Sequence, residues 1–348
     1  MNAMKFYITI TCFIFVYAFN LYSQDIHFSQ MRFSPLNLNP ALAGAEQNFQ
    51  AVVNYRDQWR NVAAPFQTIG ASVDWRFKEK RGGNGFLAGG LNLFNDQAGD
   101  VRMTTTNVNL NLAYHLIIDD KSSIGLAIQG GIGQRGINPA AGLWTSQYDG
   151  SGFNTSIGSG ESFEATNFTH LDAGAGVVYH YKKNEKYMRG NDQFKLTAGL
   201  AAFHVNRPSS SFLAGGEDDL AIRFSAFVNA DYGIRNSNFS LVPALYYNRQ
   251  GPHQEILGGT YVRVIVKEAS KVTGFIQELA TSFGAFYRFG DAVVAKFMLE
   301  YSSYSFGMAY DFNVSSLTEV SRGRGGVEFF LRYVLPNPFG AASRTRIN

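Results

Sequence analysis

Six histidines, His27, His115, His170, His180, His204 and His253, are the side chains best suited to metal or proton chemistry in this chain of 348 residues. No two stand in an HxH or HxxxH spacing, which would put two imidazoles on one face of a strand or helix, so no metal site is expected. The single cysteine, Cys12, lies inside an apolar N-terminal run, and a chain without that run has no thiol for redox or metal chemistry. Gly131-Ile132-Gly133-Gln134-Arg135-Gly136 has the GxGxxG form. A dinucleotide site also needs a helix whose first amides meet the pyrophosphate, and Ile137-Asn138-Pro139 follows instead, so no cofactor is expected. Arg322-Gly323-Arg324-Gly325-Gly326 is one arginine-glycine copy, better read as a turn before a strand, and a net charge of +3 is too mild to point to nucleic acid. There is no nucleophile elbow and no cluster of serine, histidine and acid, so the chain is not expected to be an enzyme. What remains is ion pairing: Asp172, Arg223, Asp231, Arg263, Lys296, Glu300, Asp311, Glu328 and Arg332 fall on faces that are otherwise polar.

The elements that position these groups are limited by composition. Charged residues make up 16% of the chain and aromatic residues 15%, with 36 glycines. A soluble domain carries about 25% charged residues, so the deficit points to strands whose outer surface meets lipid. Disorder would need few aromatics and much charge, and a helical membrane protein would need apolar runs of about 20 residues. Residues 1–23, with Lys5 and then an apolar stretch from Phe6 to Leu21, are expected to be a secretory signal peptide. The alternative, an uncleaved anchor helix, would be short for a span.

From Phe49 onward the dominant pattern is a period of two broken by turn residues. In Asp291–Tyr301 one face carries Val293, Ala295, Phe297, Leu299 and Tyr301, and the other Ala292, Val294, Lys296, Met298 and Glu300. Ile69, Ala71, Val73, Trp75 and Phe77 oppose Gly70, Ser72, Asp74 and Arg76 in the same way, as Val108, Leu110, Leu112 and Tyr114 oppose Asn107, Asn109, Asn111 and His115. About 14 such segments of about ten residues predict an all-β transmembrane fold, an antiparallel up-and-down barrel over 49–335 with a polar interior. A soluble β-sandwich also alternates, but its outward face must be wetted, and here that face is rich in aromatics. Residues 24–48, whose prolines suit neither a strand centre nor a helix interior, are expected to precede the barrel as a plug or a periplasmic segment. Residues 336–348 are expected to form a C-terminal tail. An exported chain with both barrel ends in the periplasm turns its odd-to-even connections outward; the longest of these is Arg135–Thr166.

The chain resembles the PorP/SprF family of outer-membrane proteins of type IX secretion and gliding motility. The likeness rests on Asp25-Ile26-His27-Phe28-Ser29-Gln30, on Ser34-Pro35-Leu36 and Asn39-Pro40-Ala41-Leu42-Ala43-Gly44, and on Tyr55-Arg56-Asp57-Gln58-Trp59 with Pro65-Phe66. Asp96-Gln97-Ala98-Gly99, Gln147-Tyr148-Asp149, His204-Val205-Asn206-Arg207-Pro208 and Gly325-Gly326-Val327-Glu328 are similar to later family blocks, although Val327 stands where histidine is common. The resemblance implies a non-enzymatic role in the outer membrane of a Gram-negative bacterium. Its implied partners are a secreted adhesin with a C-terminal targeting domain, other components of the secretion machinery, and outer-membrane lipid. An Asn-Pro-Ala element also occurs in FadL-type transporters, so the alternative is a transporter or porin for hydrophobic or small solutes. Asn39, Pro40, Ala41 and Gly44 are expected to seat the N-terminal segment on the first strands through Tyr55, Arg56, Gln58 and Trp59. Trp144, Tyr148, Phe153, Phe163 and Phe212, in the loops Arg135–Thr166 and Val205–Asp218, are the candidate partner contacts.

Overall fold

Strict alternation of apolar and polar side chains specifies which face of each strand turns outward, and so fixes the register of every pair. The computed structural model describes residues 25–60, 64–77, 84–161, 165–183, 193–212, 219–267, 278–316 and 318–335. The expected signal peptide and C-terminal tail lie outside the described residues. The strands are β1 (Phe49–Gln58), β2 (Phe66–Arg76), β3 (Gly85–Ala98), β4 (Met103–Ile117), β5 (Ser122–Gly136), β6 (Asn167–Lys183), β7 (Phe194–Phe203), β8 (Arg223–Gly233), β9 (Phe239–Gln250), β10 (His253–Lys267), β11 (Leu279–Arg288), β12 (Ala292–Tyr301), β13 (Tyr304–Asn313) and β14 (Arg324–Leu335). Each pairs antiparallel with the next, and β1 pairs with β14 from Phe49 opposite Leu335 to Gln58 opposite Gly326, which closes the barrel. Closure is required in hydrocarbon, where each unpaired backbone group costs several kcal/mol. The fourteen-stranded antiparallel barrel predicted from periodicity is the one observed.

The two faces differ as the sequence pattern requires. Leu110, Ile128 and Leu171 are 65%, 64% and 70% exposed on the outer surface, whereas Asn107, Asn109 and Asn111, interleaved with Leu110, are each 4% exposed. An outer face of this kind is stable against acyl chains and not against water. Among the described residues no helix is long and apolar enough to cross a membrane; the strands cross it.

Residues 25–48 lie within the lumen. They form a 3-10 turn at Met31–Phe33, one α-helical turn at Pro35–Leu38 and a second 3-10 turn at Pro40–Leu42, each proline turn beginning where proline's missing N–H costs nothing. The amide of Asp25 donates to the side chain of Gln250 at the end of β9, and the carbonyl of Asn48 accepts from Arg76 at the end of β2. These strand ends belong to opposite mouths, so the segment runs the length of the barrel. The mouth where β1 begins and β14 ends is the terminal mouth; the other, which bears the connections 137–166 and 204–222, is the loop mouth. The core lies between this segment and the wall: Met31, Leu36, Leu38, Ala41 and Leu42 pack with inward-facing Phe86, Ala88, Val178, Phe227, Tyr246 and Leu257.

Candidate functional site

The site with chemistry in it is the contact between the N-terminal segment and the lumen wall. At Ser29-Gln30 the main-chain amides donate to Glu328, at 2.7 Å to Oε2 and 2.9 Å to Oε1. The Ser29 hydroxyl donates to Asp311 at 2.8 Å and accepts from Arg56 at 2.7 Å and from Arg288 at 2.5 Å. Arg56 also meets Asp311 at 2.9 Å and Glu328 at 3.2 Å, and Lys296 Nζ donates to the Ser29 carbonyl at 2.6 Å. Alternation turns each of these wall residues inward, and the barrel's closure brings Arg56 of β1 beside Glu328 of β14, its partner in register. A charge buried in this way is tolerable only when paired, which fixes where the segment sits.

A second anchor holds the start of the described chain. Asp25 receives His204 Nε2 at 2.6 Å and faces Arg223 Nε at 3.3 Å, while His204 Nδ1 lies 2.9 Å from Asp172. Burial alone would raise the Asp25 pKa, but His204 and Arg223 overcome it and hold the carboxyl well below the usual range. Burial likewise opposes the charged form of His204, and the two flanking carboxylates outweigh it, raising the imidazole to about 9. Arg32 makes the third anchor, bidentate to Asp231 at 2.8 and 2.9 Å.

Asn39 is the fourth. Its Nδ2 donates to the carbonyls of Val177 and Leu200, both at 3.0 Å, and its Oδ1 accepts the Ala41 amide at 2.8 Å, so the motif's side chain caps its own turn while tying it to β6 and β7. Two inward glycines clear the space: a Cβ on Gly176 would stand 2.2 Å from Asn39 Oδ1, and one on Gly199 2.8 Å from Nδ2. Gly44 ends the motif with φ +63°, its amide donating to Asp74 and its carbonyl accepting from Arg76. A Cβ there would lie 2.6 Å from that of Ala88.

The expected seating of Asn39, Pro40 and Ala41 through Tyr55, Arg56, Gln58 and Trp59 is therefore corrected. The Pro40–Leu42 turn contacts β4, β5 and β6, and Gly44 meets β2 through Asp74 and Arg76 and β3 at Ala88. Tyr55 occupies an outward position of β1 and donates to Asp57, and Trp59 lies past the strand with φ 57°, against Phe66. Gln58 closes β1 opposite Gly326 at the loop mouth. Arg56 alone faces the segment, and it holds Ser29. Sequence reasoning missed Gly176, Gly199, Val177 and Leu200; an inward glycine on each of two paired strands is the signal that marks such a cleft.

Of the loop aromatics, Tyr148 and Phe153 form a T-shaped pair with centroids 5.5 Å apart, 53% and 52% exposed. Trp144 is half-buried and its indole N–H donates to the Pro139 carbonyl. Phe212 packs on Phe168 at 4.9 Å. Phe163 lies outside the described residues. The structure joins Tyr148 with Phe153 and leaves Trp144 and Phe212 engaged elsewhere. All nine charged residues expected on polar faces have polar or ionic partners in the lumen, including Arg263 with Glu300 at 2.6 Å and Arg332 with the Ser305 hydroxyl. Among the described residues no group of three or more His, Cys, Asp or Glu side chains could hold a metal ion.

Residues 20–333 match the family described as type IX secretion system membrane protein PorP/SprF. The chain belongs to the PorP/SprF family. This PorP/SprF protein is thus a membrane component of type IX secretion, and its closed, lipid-facing barrel places it in the outer membrane. No curated protein matches it. Among solved structures it is similar to CdiB from Acinetobacter baumannii, with 9% identity and a TM-score of 0.39 over 83% of this chain and 60% of that one. It is also similar to a deltaS2 mutant of the TodX monoaromatic hydrocarbon channel, with 10% identity and a TM-score of 0.48 over 86% and 93%. The β domain of the Bordetella autotransporter BrkA gives 10%, 0.35, 83% and 99%.

Proposed function

We propose that this PorP/SprF protein is a non-enzymatic docking platform that anchors a secreted adhesin, through the adhesin's C-terminal targeting domain, for display or gliding. In this reading the loop mouth faces outward and the terminal mouth faces the periplasm and the rest of the machinery. The observation that carries the reading is the exposed Tyr148–Phe153 pair. The pair sits on an ordered loop: Asp149 Oδ1 accepts the amides of Ser151 and Gly152, and Gln147 Nε2 donates to the Ile157 carbonyl. Rigid exposed aromatics contribute binding energy at little entropic cost, which is why such residues dominate interface hot spots. The alternative, a FadL-like transporter or porin for hydrophobic or small solutes, requires a path past residues 25–48, which fill much of the lumen. Replacing Tyr148 and Phe153 by serine tests the platform, with adhesin display on whole cells measured at matched barrel levels. Display should fall at least tenfold, and unchanged display refutes docking by this loop.

A further inference from the structure

On the outer face of the barrel a trough of about 380 Å³ crosses β6 to β9. In two adjacent register rows Tyr179, Leu200, Leu245 and Tyr247 rise around Ala198 and Ala226, whose short side chains leave the floor low. These side chains all stand on the lipid side of the wall, so hydrocarbon fills the trough. One row nearer the loop mouth, about 7 Å along the strand, comes Arg249. It is exposed, and its register partners are Phe224, itself 53% exposed, and Gln254, so its side chain leaves the wall on the same side as the trough. Its Nε donates to the Gly251 carbonyl, and among the described residues no carboxylate pairs with it. The outward positions around it on β8, β9 and β10 are uncharged, and in the connection between β7 and β8 the exposed charges among the described residues are Arg207 and Asp219, one of each sign. A guanidinium at the rim of a lipid-facing surface, with no carboxylate to meet it, is matched by an anion that the lipid itself supplies. Its two terminal nitrogens fit the paired oxygens of a phosphate, and the trough below takes the chain that hangs from such a head group.

We propose that Arg249 and the trough form a site for one molecule of lipid A, with a phosphate on the guanidinium and an acyl chain laid over Ala226 and Ala198. The choice of lipid A over a phospholipid rests on the outward-facing loop mouth of the docking reading, because lipid A is the phosphorylated lipid of the outer leaflet. The test titrates the full mature chain in detergent with bisphosphorylated lipid A, with its dephosphorylated form and with phosphatidylglycerol, and counts bound lipid by native mass spectrometry. One lipid A should bind saturably, at least tenfold tighter than either of the other two, and Arg249→Gln and Ala226→Trp should each weaken it at least fivefold. Both positions face outward, so the lumen contacts are untouched, and a heat-resistant barrel band on gels verifies that each variant is folded. Equal binding of lipid A and its dephosphorylated form, preference for phosphatidylglycerol, or unchanged binding by either variant overturns the proposal. Orientation is read separately by labelling Ser151→Cys, at an exposed loop position, on intact cells with a membrane-impermeant maleimide. A labelled cysteine without lipid A preference overturns the lipid site and leaves the docking orientation standing, whereas an unlabelled cysteine overturns both that orientation and the choice of lipid A. If the Tyr148 and Phe153 serine variant displays adhesin normally while lipid A still binds and the cysteine is labelled, the docking reading fails and the lipid site stands.

Discussion

Glu328→Ala is the substitution that most directly tests how the N-terminal segment is retained. The carboxylate of Glu328 accepts the amides of Ser29 and Gln30, residues that are 0% and 1% exposed, and completes the coordination of Arg56. Truncation leaves two buried N–H groups without acceptors, at about 1–3 kcal/mol each. Arg56 keeps Asp311 and the Ser29 hydroxyl, so the loss does not extend to a bare buried charge. Taking about 3 kcal/mol from the lower part of the resulting range, the equilibrium for releasing the segment from the wall shifts roughly 150-fold. The barrel itself keeps every ladder bond between β1 and β14, so its closure should survive while the segment loosens.

Two measurements separate these effects. In planar bilayers a variant lacking residues 25–45 should conduct far more than the intact chain, and Glu328→Ala should show bursts approaching that level. Glu328→Gln, which keeps one acceptor oxygen, should fall between. Protease protection of the segment should drop in the same order, with the heat-modified mobility of the barrel unchanged. If the deletion conducts no better than the intact chain, or if Glu328→Ala protects residues 25–45 as well as the parent, the segment is not what fills the lumen and the retention reasoning fails.

Other outcomes follow from the same contacts. His204, raised to about 9, contributes stability that is fully present below its unfolded value near 6.5 and is lost as pH rises towards 9, so the thermal midpoint in detergent should fall across that window. His204→Gln should flatten the profile; an equally steep profile in that variant places the titration elsewhere. Gly176→Val should displace Asn39 and lower the thermal midpoint well beyond Asn39→Ala, because the added side chain occupies the cleft that the asparagine fills. Leu110→Arg, at the middle of β4 on the outer face, should cost about 2–4 kcal/mol of folding free energy in lipid vesicles, read from reversible guanidinium titrations, and a change near zero would argue against burial of that face in hydrocarbon.

How far sequence alone could reach is decided by the range over which a pattern persists. Alternation repeats within each strand, so Leu110 outward and Asn109 inward are legible from their neighbours, and about 14 repetitions predict a closed barrel without knowledge of any contact. The charged inward positions were legible for the same reason. Their partners were not: Ser29 meets Glu328 across 299 positions and Asn39 meets Leu200 across 161, and nothing local in either partner records the other. The strands nearest Asn39-Pro40-Ala41 in sequence are β1 and β2, but the segment's passage through the lumen makes sequence distance irrelevant to which strand the motif meets. Glycine at 176 and 199 carries the missing information, as an unfilled position on an inward face that must otherwise bear a side chain.

That same geometry explains why the anchors differ in kind along the segment. Near the loop mouth Asp25 and Ser29 are held by charges, in the middle Asn39 is held by neutral amide bonds among apolar packing, and towards the terminal mouth Gly44 is held by its backbone conformation and by Arg76. Ionic anchors weaken when a competing ion enters, whereas the Asn39 cleft, held by neutral amide bonds, has no such competitor. Hydrogen exchange should show this directly: in high salt the amides of Ser29 and Gln30 should exchange at least fivefold faster while that of Ala41 stays unchanged. Equal acceleration along the whole segment would show that the anchors do not differ in kind.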